Sequence, residues 1–323
     1  MFITLAAMHF GASYHLAYGD GLRSIKHHPF GLVVFPAALA AASAFVVLSQ
    51  TTGHAGAGRS GLRLLLVAVF TLTGWHYIKQ AYGIAMLSAR SAGLRPTRHE
   101  ALLLRYALYP VWLYDVLEIY GRGRSASYQS YDVTMAIVPH GLDPWVRGGA
   151  ALSLASALVL MAVLGARARR VPPLGLWGTY LAGGLWFLVP PTYVSATVVL
   201  AGLHAVQYLT VSHRAEVDLA VERREPHLLH RWLCVFGGAA AGGLLLTNWL
   251  PDLASRSATP GVPAMVPSLI FVVFNLHHYA VDAVIWRSGG EHVLRMSRGP
   301  QPAAQAEAAP VPAPAAAPAP ALA

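Results

Sequence analysis

Histidines with a polar partner about one turn away recur in three otherwise apolar segments. These pairs are His76 with Gln80, His204 with Gln207, and His278 with Asp282. At about 100° per residue, positions three or four apart lie on one side of a helix. Imidazole together with an amide or carboxylate oxygen forms a ligand set suited to iron, zinc or copper. Three such pairs predict a shared metal or haem site, although each pair alone also fits an interhelical hydrogen bond.

Other residues near these pairs extend the predicted site. His277 lies beside His278, and His9 lies in the first apolar segment. The predicted metal ligands are therefore His9, His76, His204, His277, His278 and Asp282. The residues predicted to flank a cofactor are Lys79, Gln80, Gln207 and Tyr208. Because a buried ammonium group needs a carboxylate, we also expect Lys79 to pair with Asp282.

The composition indicates the elements that must position these side chains. Of 323 residues, 55% are hydrophobic and 11% are charged, against about 25% charged in ordinary soluble domains. Several apolar runs reach roughly 18–25 residues, which is enough to cross about 30 Å of hydrocarbon. The sequence therefore predicts an all-α, polytopic transmembrane helical bundle in contact with the lipid bilayer. The single cysteine, Cys234, excludes a disulfide framework and a cysteine-based zinc site.

We predict nine membrane spans, while eight also fit because the first is short and the fourth is the most polar. The predicted spans are 2–18, 29–50, 63–88, 99–120, 148–166, 174–190, 192–213, 229–249 and 264–286. They form one transmembrane domain over residues 1–298. Residues 299–323 are rich in Ala and Pro and nearly uncharged, so we expect a disordered cytoplasmic tail.

The distribution of basic residues predicts the orientation in the membrane. The net charge of +9 comes almost wholly from arginine, and most arginines fall on alternate connections between the spans. This pattern indicates a plasma (inner) membrane protein with its N-terminus outside and its C-terminus in the cytoplasm, and it gives no reason to expect nucleic acid binding. In this topology the spans that carry His9, His76, His204 and His278 all run in one direction. Their imidazoles therefore reach a similar depth.

A short segment between the fourth and fifth spans resembles a known family. Pro139-His140-Gly141-Leu142-Asp143 looks like the PHGxxD segment of the bacterial Brp/Blh-type membrane oxygenases that cleave carotenes, with a spacing one residue shorter. Those proteins are polytopic and hold iron with membrane-embedded histidines, so the resemblance implies similar chemistry. The predicted topology places His140 outside the membrane, away from the other histidines, unless residues 131–147 re-enter it.

These patterns favour a membrane-embedded, metal-dependent oxidoreductase with non-haem iron, for which copper or zinc are further candidates. Its substrate would be a lipid-soluble small molecule (a carotenoid, isoprenoid, sterol or acyl chain) that enters from the bilayer, and a redox partner protein could supply electrons. One alternative is a b-haem electron-transfer protein that uses the same histidines as axial ligands. Another is a non-catalytic transporter or assembly subunit with a buried polar network.

Overall fold

The computed structural model describes residues 2–19, 21–121, 125–128, 131–134, 140–188, 194–257 and 265–286. These residues form a mainly α-helical protein, as the sequence predicts. The helices are α1 (Phe2–Tyr18), α2 (Leu22–His27), α3 (Phe35–Thr51), α4 (Ala55–Ser91), α5 (Arg98–Tyr106), α6 (Tyr109–Gly121), α7 (Asp143–Ala168), α8 (Leu174–Leu188), α9 (Val194–Glu222), α10 (Leu228–Leu244), α11 (Leu250–Ser257) and α12 (Met265–Ile285). Short π-helical turns precede α3 and α11, at Phe30–Val34 and Leu245–Trp249. A hairpin that the all-α prediction did not include joins β1 (Ser125–Tyr128) to β2 (Tyr131–Thr134) in antiparallel pairing.

Within the described residues, five helical segments are long and apolar enough to cross a membrane. They are Phe30–Thr51, Ala55–Ser91, Pro144–Ala168, Leu228–Ala254 and Met265–Ile285. The other predicted spans also fall on helices, but α1 has 17 described residues and α8 has 15. The nine-span topology and the sides of the termini therefore stay predictions. The predicted tail, 299–323, lies outside the described residues.

The fourth predicted span, 99–120, is two helices rather than one. A turn at Ala107 and Leu108 separates α5 from α6. The start of α5 is capped because Thr97 Oγ1 accepts a hydrogen bond from the Glu100 backbone, while Glu100 Oε2 accepts one from the Thr97 backbone. This reciprocal cap satisfies two backbone N–H groups at the helix start. Polar residues of this segment thus form the start of α5.

Two helices, α4 and α12, lie at the centre of the fold. Buried apolar residues of α4 pack on one side against α5 to α8 and on the other side against α3 and α12. Buried residues of α12 also pack against α1. His76 lies near the middle of α4, and His278 lies on α12. Side chains on these two helices therefore reach the most enclosed part of the protein.

Small residues let α1 lie directly against α10. Ala7 and Gly11 are four residues apart on α1, and Ala239 and Gly243 are four apart on α10. A Cβ atom on Gly11 would collide with the backbone of Ala239, and one on Gly243 would collide with the backbone of Ala7. Small residues at this spacing commonly allow close contact between membrane helices. This contact holds α1 in place while its other side, with His9, faces the interior.

Candidate metal centre

Four histidines from four different helices meet in the protein interior. They are His9 on α1, His76 on α4, His204 on α9 and His278 on α12. Each residue is between 1% and 7% exposed. The structure thus brings His76, His204 and His278 together, with His9 as a further member, and their role as metal ligands stays a prediction.

The four imidazoles form a closed ring in which each contacts two neighbours. His9 lies beside His204 and His278, with ring centroids 4.8 Å and 4.5 Å away. His76 lies beside the same two residues, at 4.9 Å from each. Neighbouring ring planes are inclined by 69° to 89°. This arrangement brings nitrogen atoms from all four rings to a common centre.

The spacing of these nitrogens suits a single metal ion. One ligand nitrogen from each histidine can be chosen so that all four lie within 4.8 Å of one another. Nitrogens bound to one ion at about 2.1 Å lie about 3.0–3.4 Å apart as neighbours and at most about 4.2 Å apart across the ion. The Nε2 atoms of His76 and His204 are 3.2 Å apart, which is within this range. A small inward movement of the rings would bring the widest pair into range as well.

A carboxylate completes one side of the centre. Asp282 is 3% exposed, and its Oδ2 atom lies 3.5 Å from His76 Nε2 and 3.8 Å from His278 Nε2. These distances are long for hydrogen bonds but reasonable for two ligands on either side of an ion. Among the described residues, no Lys or Arg forms an ion pair with Asp282. A buried carboxyl group is either protonated or has a positive charge nearby, and a cation bound in the centre would supply that charge.

The hydrogen bonds of Ser13 define the protonation of the His278 ring. The Ser13 hydroxyl donates its one proton to the backbone carbonyl of Phe10, at 2.8 Å. The same oxygen lies 2.9 Å from His278 Nδ1; with its proton directed to Phe10 it accepts there, and we therefore assign the ring proton to Nδ1. The Nε2 atom of His278 is then an unprotonated nitrogen, and it has no hydrogen-bond partner among the described residues. A metal-binding histidine usually donates its other ring N–H in this way.

Tyrosines hold the neighbouring rings in place. Tyr77 stacks on His204, with centroids 4.1 Å apart. Tyr279 stacks on His76 at 4.7 Å, and its hydroxyl lies 2.6 Å from Thr73 Oγ1. The predicted cofactor-flanking residue Tyr208 is fully buried and packs edge-on against His9 at 4.4 Å. Apolar stacking of this kind restricts ring rotation without using the ring nitrogens.

Unpaired polar atoms are concentrated at this centre. In the described part of the chain, buried atoms without a hydrogen-bond partner include His9 Nε2, His278 Nε2, Tyr208 Oη and both carboxylate oxygens of Asp282. Buried polar groups are nearly always paired in folded proteins. A cation bound between these atoms would satisfy several of them at once. The donor set therefore fits a metal ion.

Two of the predicted site residues lie away from this centre. Both ring nitrogens of His277 face tyrosine hydroxyls, with Nδ1 3.0 Å from Tyr14 and Nε2 3.1 Å from Tyr18. Adjacent residues point about 100° apart on a helix, so His277 faces away from the ring that His278 joins. The expected pair of Lys79 with Asp282 is also not formed. Lys79 is exposed, and its ammonium group lies 5.3 Å from the ring centre of Trp75.

The two glutamines have positions that differ from each other. Gln80 is buried, and its side-chain amide donates to the backbone carbonyl of His204 at 3.1 Å. It thus ties α4 to α9 one turn from His76 and does not contact a ring nitrogen. Gln207 instead lines a cavity on the other side of His204.

The side chain of His140, like all of Pro139, lies outside the described residues, so its role stays a prediction.

Sequence reasoning missed Ser13 as the partner of His278. The only sequence signal was that Ser13 lies four residues after His9 on the same side of α1. The roles of Tyr14 and Tyr18, which hold His277, had no recognisable signal. These contacts join residues more than 250 positions apart, and periodicity within one helix does not report on them.

Comparison with known proteins does not indicate a function for this chain, so the function has to be inferred from the geometry of the site. The chain matches no protein-family model, and neither a curated protein nor a solved structure shows significant similarity to it. The resemblance of residues 139–143 to the Brp/Blh-type oxygenases therefore stays a prediction. The four-histidine group is the feature from which a function has to be inferred.

Proposed function

We propose that this protein is a membrane-embedded metalloenzyme in which the ring of His9, His76, His204 and His278 binds one metal ion. The observation that carries the proposal is the convergence of four buried imidazoles from four helices on one point. An Asp, Lys or Arg side chain at the centre of a membrane helix costs about 2.5–3.5 kcal/mol on insertion scales, and histidines there are also rare. Metal binding offsets this cost, whereas simple packing would be achieved more cheaply by apolar residues.

Non-haem iron is the ion that we favour. His76 and His278 with the Asp282 carboxylate resemble the two-histidine, one-carboxylate set of iron oxygenases, because Asp282 Oδ2 lies within 4 Å of both Nε2 atoms. Iron would supply oxygen activation, which supports hydroxylation, desaturation or cleavage of a substrate. The protein would hold the ligands in place and exclude water. Zinc and copper accept the same donors, so the assignment needs direct measurement.

The substrate that we propose is a lipid-soluble molecule that enters from the bilayer. His76 and His278 lie within two of the helices that could cross the membrane, α4 and α12. A water-soluble substrate would have to be desolvated to reach a site at that depth, whereas a lipid-soluble one could diffuse laterally. We further propose the nine-span topology with a cytoplasmic C-terminus, and a redox partner protein as the source of electrons.

The packing of the rings favours a single ion over haem. A b-type haem with two histidine ligands needs a flat slot between opposing imidazoles, wide enough for the macrocycle. Here each imidazole contacts two others at centroid distances of 4.5–4.9 Å. Tyr77 and Tyr279 cover the outer faces of His204 and His76. Haem binding would therefore require the ring to open.

Metal analysis of the purified full-length protein tests the proposal. We expect about one iron per chain by elemental analysis, with no Soret band in the absorption spectrum. Replacing a ring residue, as in His204→Ala or His278→Ala, should lower the metal content by more than about tenfold, because each loses a direct ligand. The milder His204→Gln variant keeps most of the side-chain volume and separates loss of metal from loss of folding.

The matched controls are histidines outside the ring on the same two helices. His213→Ala on α9 and His277→Ala on α12 should retain the metal of the wild-type protein. Unchanged metal in both ring variants would reject the ligand assignment. A Soret band would support the haem alternative, and a stable wild-type protein without metal would support the non-catalytic polar network.

A further inference from the structure

A cavity lies next to the four-histidine ring, between α4, α6, α8 and α9. Its volume is about 50 Å³, which is room for one or two water molecules or a short hydrocarbon segment. Most of its wall is apolar, with contributions from Ile78, Leu108, Val111 and Leu203. An apolar cavity with a few polar groups is the usual form of a small-molecule site.

The cavity is separated from the candidate metal centre by a single imidazole. Tyr77 and His204 both line it, and their rings stack with centroids 4.1 Å apart. The Nε2 atom of the same His204 lies 3.2 Å from His76 Nε2. A molecule held in the cavity would therefore lie beside the ring of histidines and within one side chain of its centre.

Among the described residues, one polar group in the wall has no hydrogen-bond partner. Gln207 lines the cavity, and its side-chain amide makes no hydrogen bond within the described part of the chain. Thr179, also in the wall, already donates to the Gly175 backbone at 2.9 Å. The buried carboxyl group of Asp115 has its own interactions. The Gln207 amide, which can both donate and accept, is thus available to bind an oxygen atom of a ligand.

The lining of the cavity reaches the outer surface of the bundle on α9. Leu203, which forms part of its wall, is 37% exposed. Leu181 on α8 and Val206 on α9 are also exposed. These positions are near the middle of their helices, where the surroundings in a membrane would be acyl chains. Access by way of the lipid follows from this placement.

We propose that this cavity binds the oxygen-bearing end of a lipid-soluble substrate, a hydroxyl or carbonyl group on an otherwise hydrocarbon skeleton. This inference rests on the proposed metalloenzyme function and specifies its substrate class. The end group binds the Gln207 amide, and the adjoining carbons fill the apolar cavity beside His204. Because the cavity is small, the rest of the molecule extends between α8 and α9 into the bilayer.

Photo-crosslinking of the purified, metal-loaded protein in detergent tests this site. The probe is a long-chain alcohol with a diazirine close to the hydroxyl group, and labelled peptides are identified by mass spectrometry. We expect labels on α8 and α9 around Gly183 and Leu203. The unlabelled alcohol should compete for this labelling at lower concentration than the hydrocarbon of equal length. Equal competition by alcohol and hydrocarbon would reject recognition of the oxygen.

Two variants with matched controls isolate the cavity from the fold. Gln207→Leu keeps the side-chain size but removes the amide, and it should weaken binding of the alcohol about fivefold, the worth of one hydrogen bond. Its control on the same helix is Thr210→Val, whose exposed hydroxyl bonds only to its own helix. Gly183→Ala places a methyl group in the cavity, whereas Gly178→Ala on the same helix adds one where no atom lies within 4 Å. Both controls should label like the wild-type protein.

Measuring metal in every sample separates the two proposals. Normal metal content with labelling that is identical in Gln207→Leu, Gly183→Ala and the wild-type protein would overturn the substrate site and leave the metal centre standing. Metal-free protein that still shows variant-sensitive labelling of α8 and α9 would reject the metalloenzyme and support the cavity as a binding site.

Discussion

The most specific prediction concerns Ser13, which does not contact the proposed ion. Ser13 is fully buried and accepts a hydrogen bond of 2.9 Å from His278 Nδ1. In Ser13→Ala the ring N–H loses this acceptor. The proton can then move to Nε2, where it blocks the nitrogen that faces the centre. Alternatively it stays on Nδ1 as a buried, unpaired donor, which costs about 1–3 kcal/mol.

Either outcome weakens metal binding through His278. Removing the outer partner of a metal-binding histidine typically lowers metal affinity about 10–100-fold, which corresponds to about 1.4–2.7 kcal/mol. We therefore expect Ser13→Ala to bind iron 10–100 times more weakly than the wild-type protein. The assay is competition with a chelator of known affinity, followed by absorption spectroscopy and elemental analysis of the protein.

Two further variants show whether the hydroxyl itself is responsible. Ser13→Thr keeps a hydroxyl group at this position and should recover most of the affinity. Ser153→Ala removes a hydroxyl that donates to the backbone carbonyl of Ala107 at 2.9 Å, in the turn between α5 and α6, and it should leave metal affinity unchanged. If Ser13→Ala binds metal as tightly as the wild-type protein, the inferred protonation of His278 is wrong.

Two other predictions concern the framework around the site. Gly11→Ala should destabilise the protein by about 1–3 kcal/mol, because the added Cβ meets the backbone of Ala239. The control, Gly237→Ala, has open space around it and should not destabilise the protein. Thermal unfolding of both variants measures the difference, and equal melting temperatures would contradict the packing of α1. Glu100 forms a two-pronged pair with Arg167 on α7. Glu100→Gln removes the charge of this pair and should lower the free energy of unfolding by about 0.5–1 kcal/mol; an unchanged thermal unfolding curve would show that the pair does not stabilise the fold.

Much of the site was predictable because its residues are improbable where they occur. A histidine inside a long apolar helix stands out against its neighbours, as His76, His204 and His278 do. The polar partner one turn away marked the same helices again, even though Gln80 and Gln207 turned out to face elsewhere. His9 was predicted from its depth alone. The cost of burying such groups in lipid makes this signal stronger than it would be in a soluble protein.

The errors came from the rotation of individual side chains around their helices. His277 and His278 are adjacent, and sequence spacing could not tell which of them faces the other helices. The sequence predicts a pair of Lys79 with Asp282 because a buried ammonium group needs a carboxylate and the predicted topology places both residues on the same side of the membrane. In the structure Lys79 is exposed beside Trp75. Depth follows from position along a helix, whereas orientation depends on the neighbouring helices that cover each face.

The sequence by itself determined that this protein is built from apolar helices and that four of them carry a histidine within their apolar stretch. Both properties follow from local composition and from the constant rise and turn of the α-helix. Only the tertiary structure decided that four of these imidazoles close into one ring, that Ser13 orients His278, and that a cavity lies behind His204. These features depend on contacts such as that of Gly11 with Ala239, which bring together residues more than 200 positions apart in the chain. Such contacts arise from the shapes of two helix surfaces together, and neither helix carries that information alone.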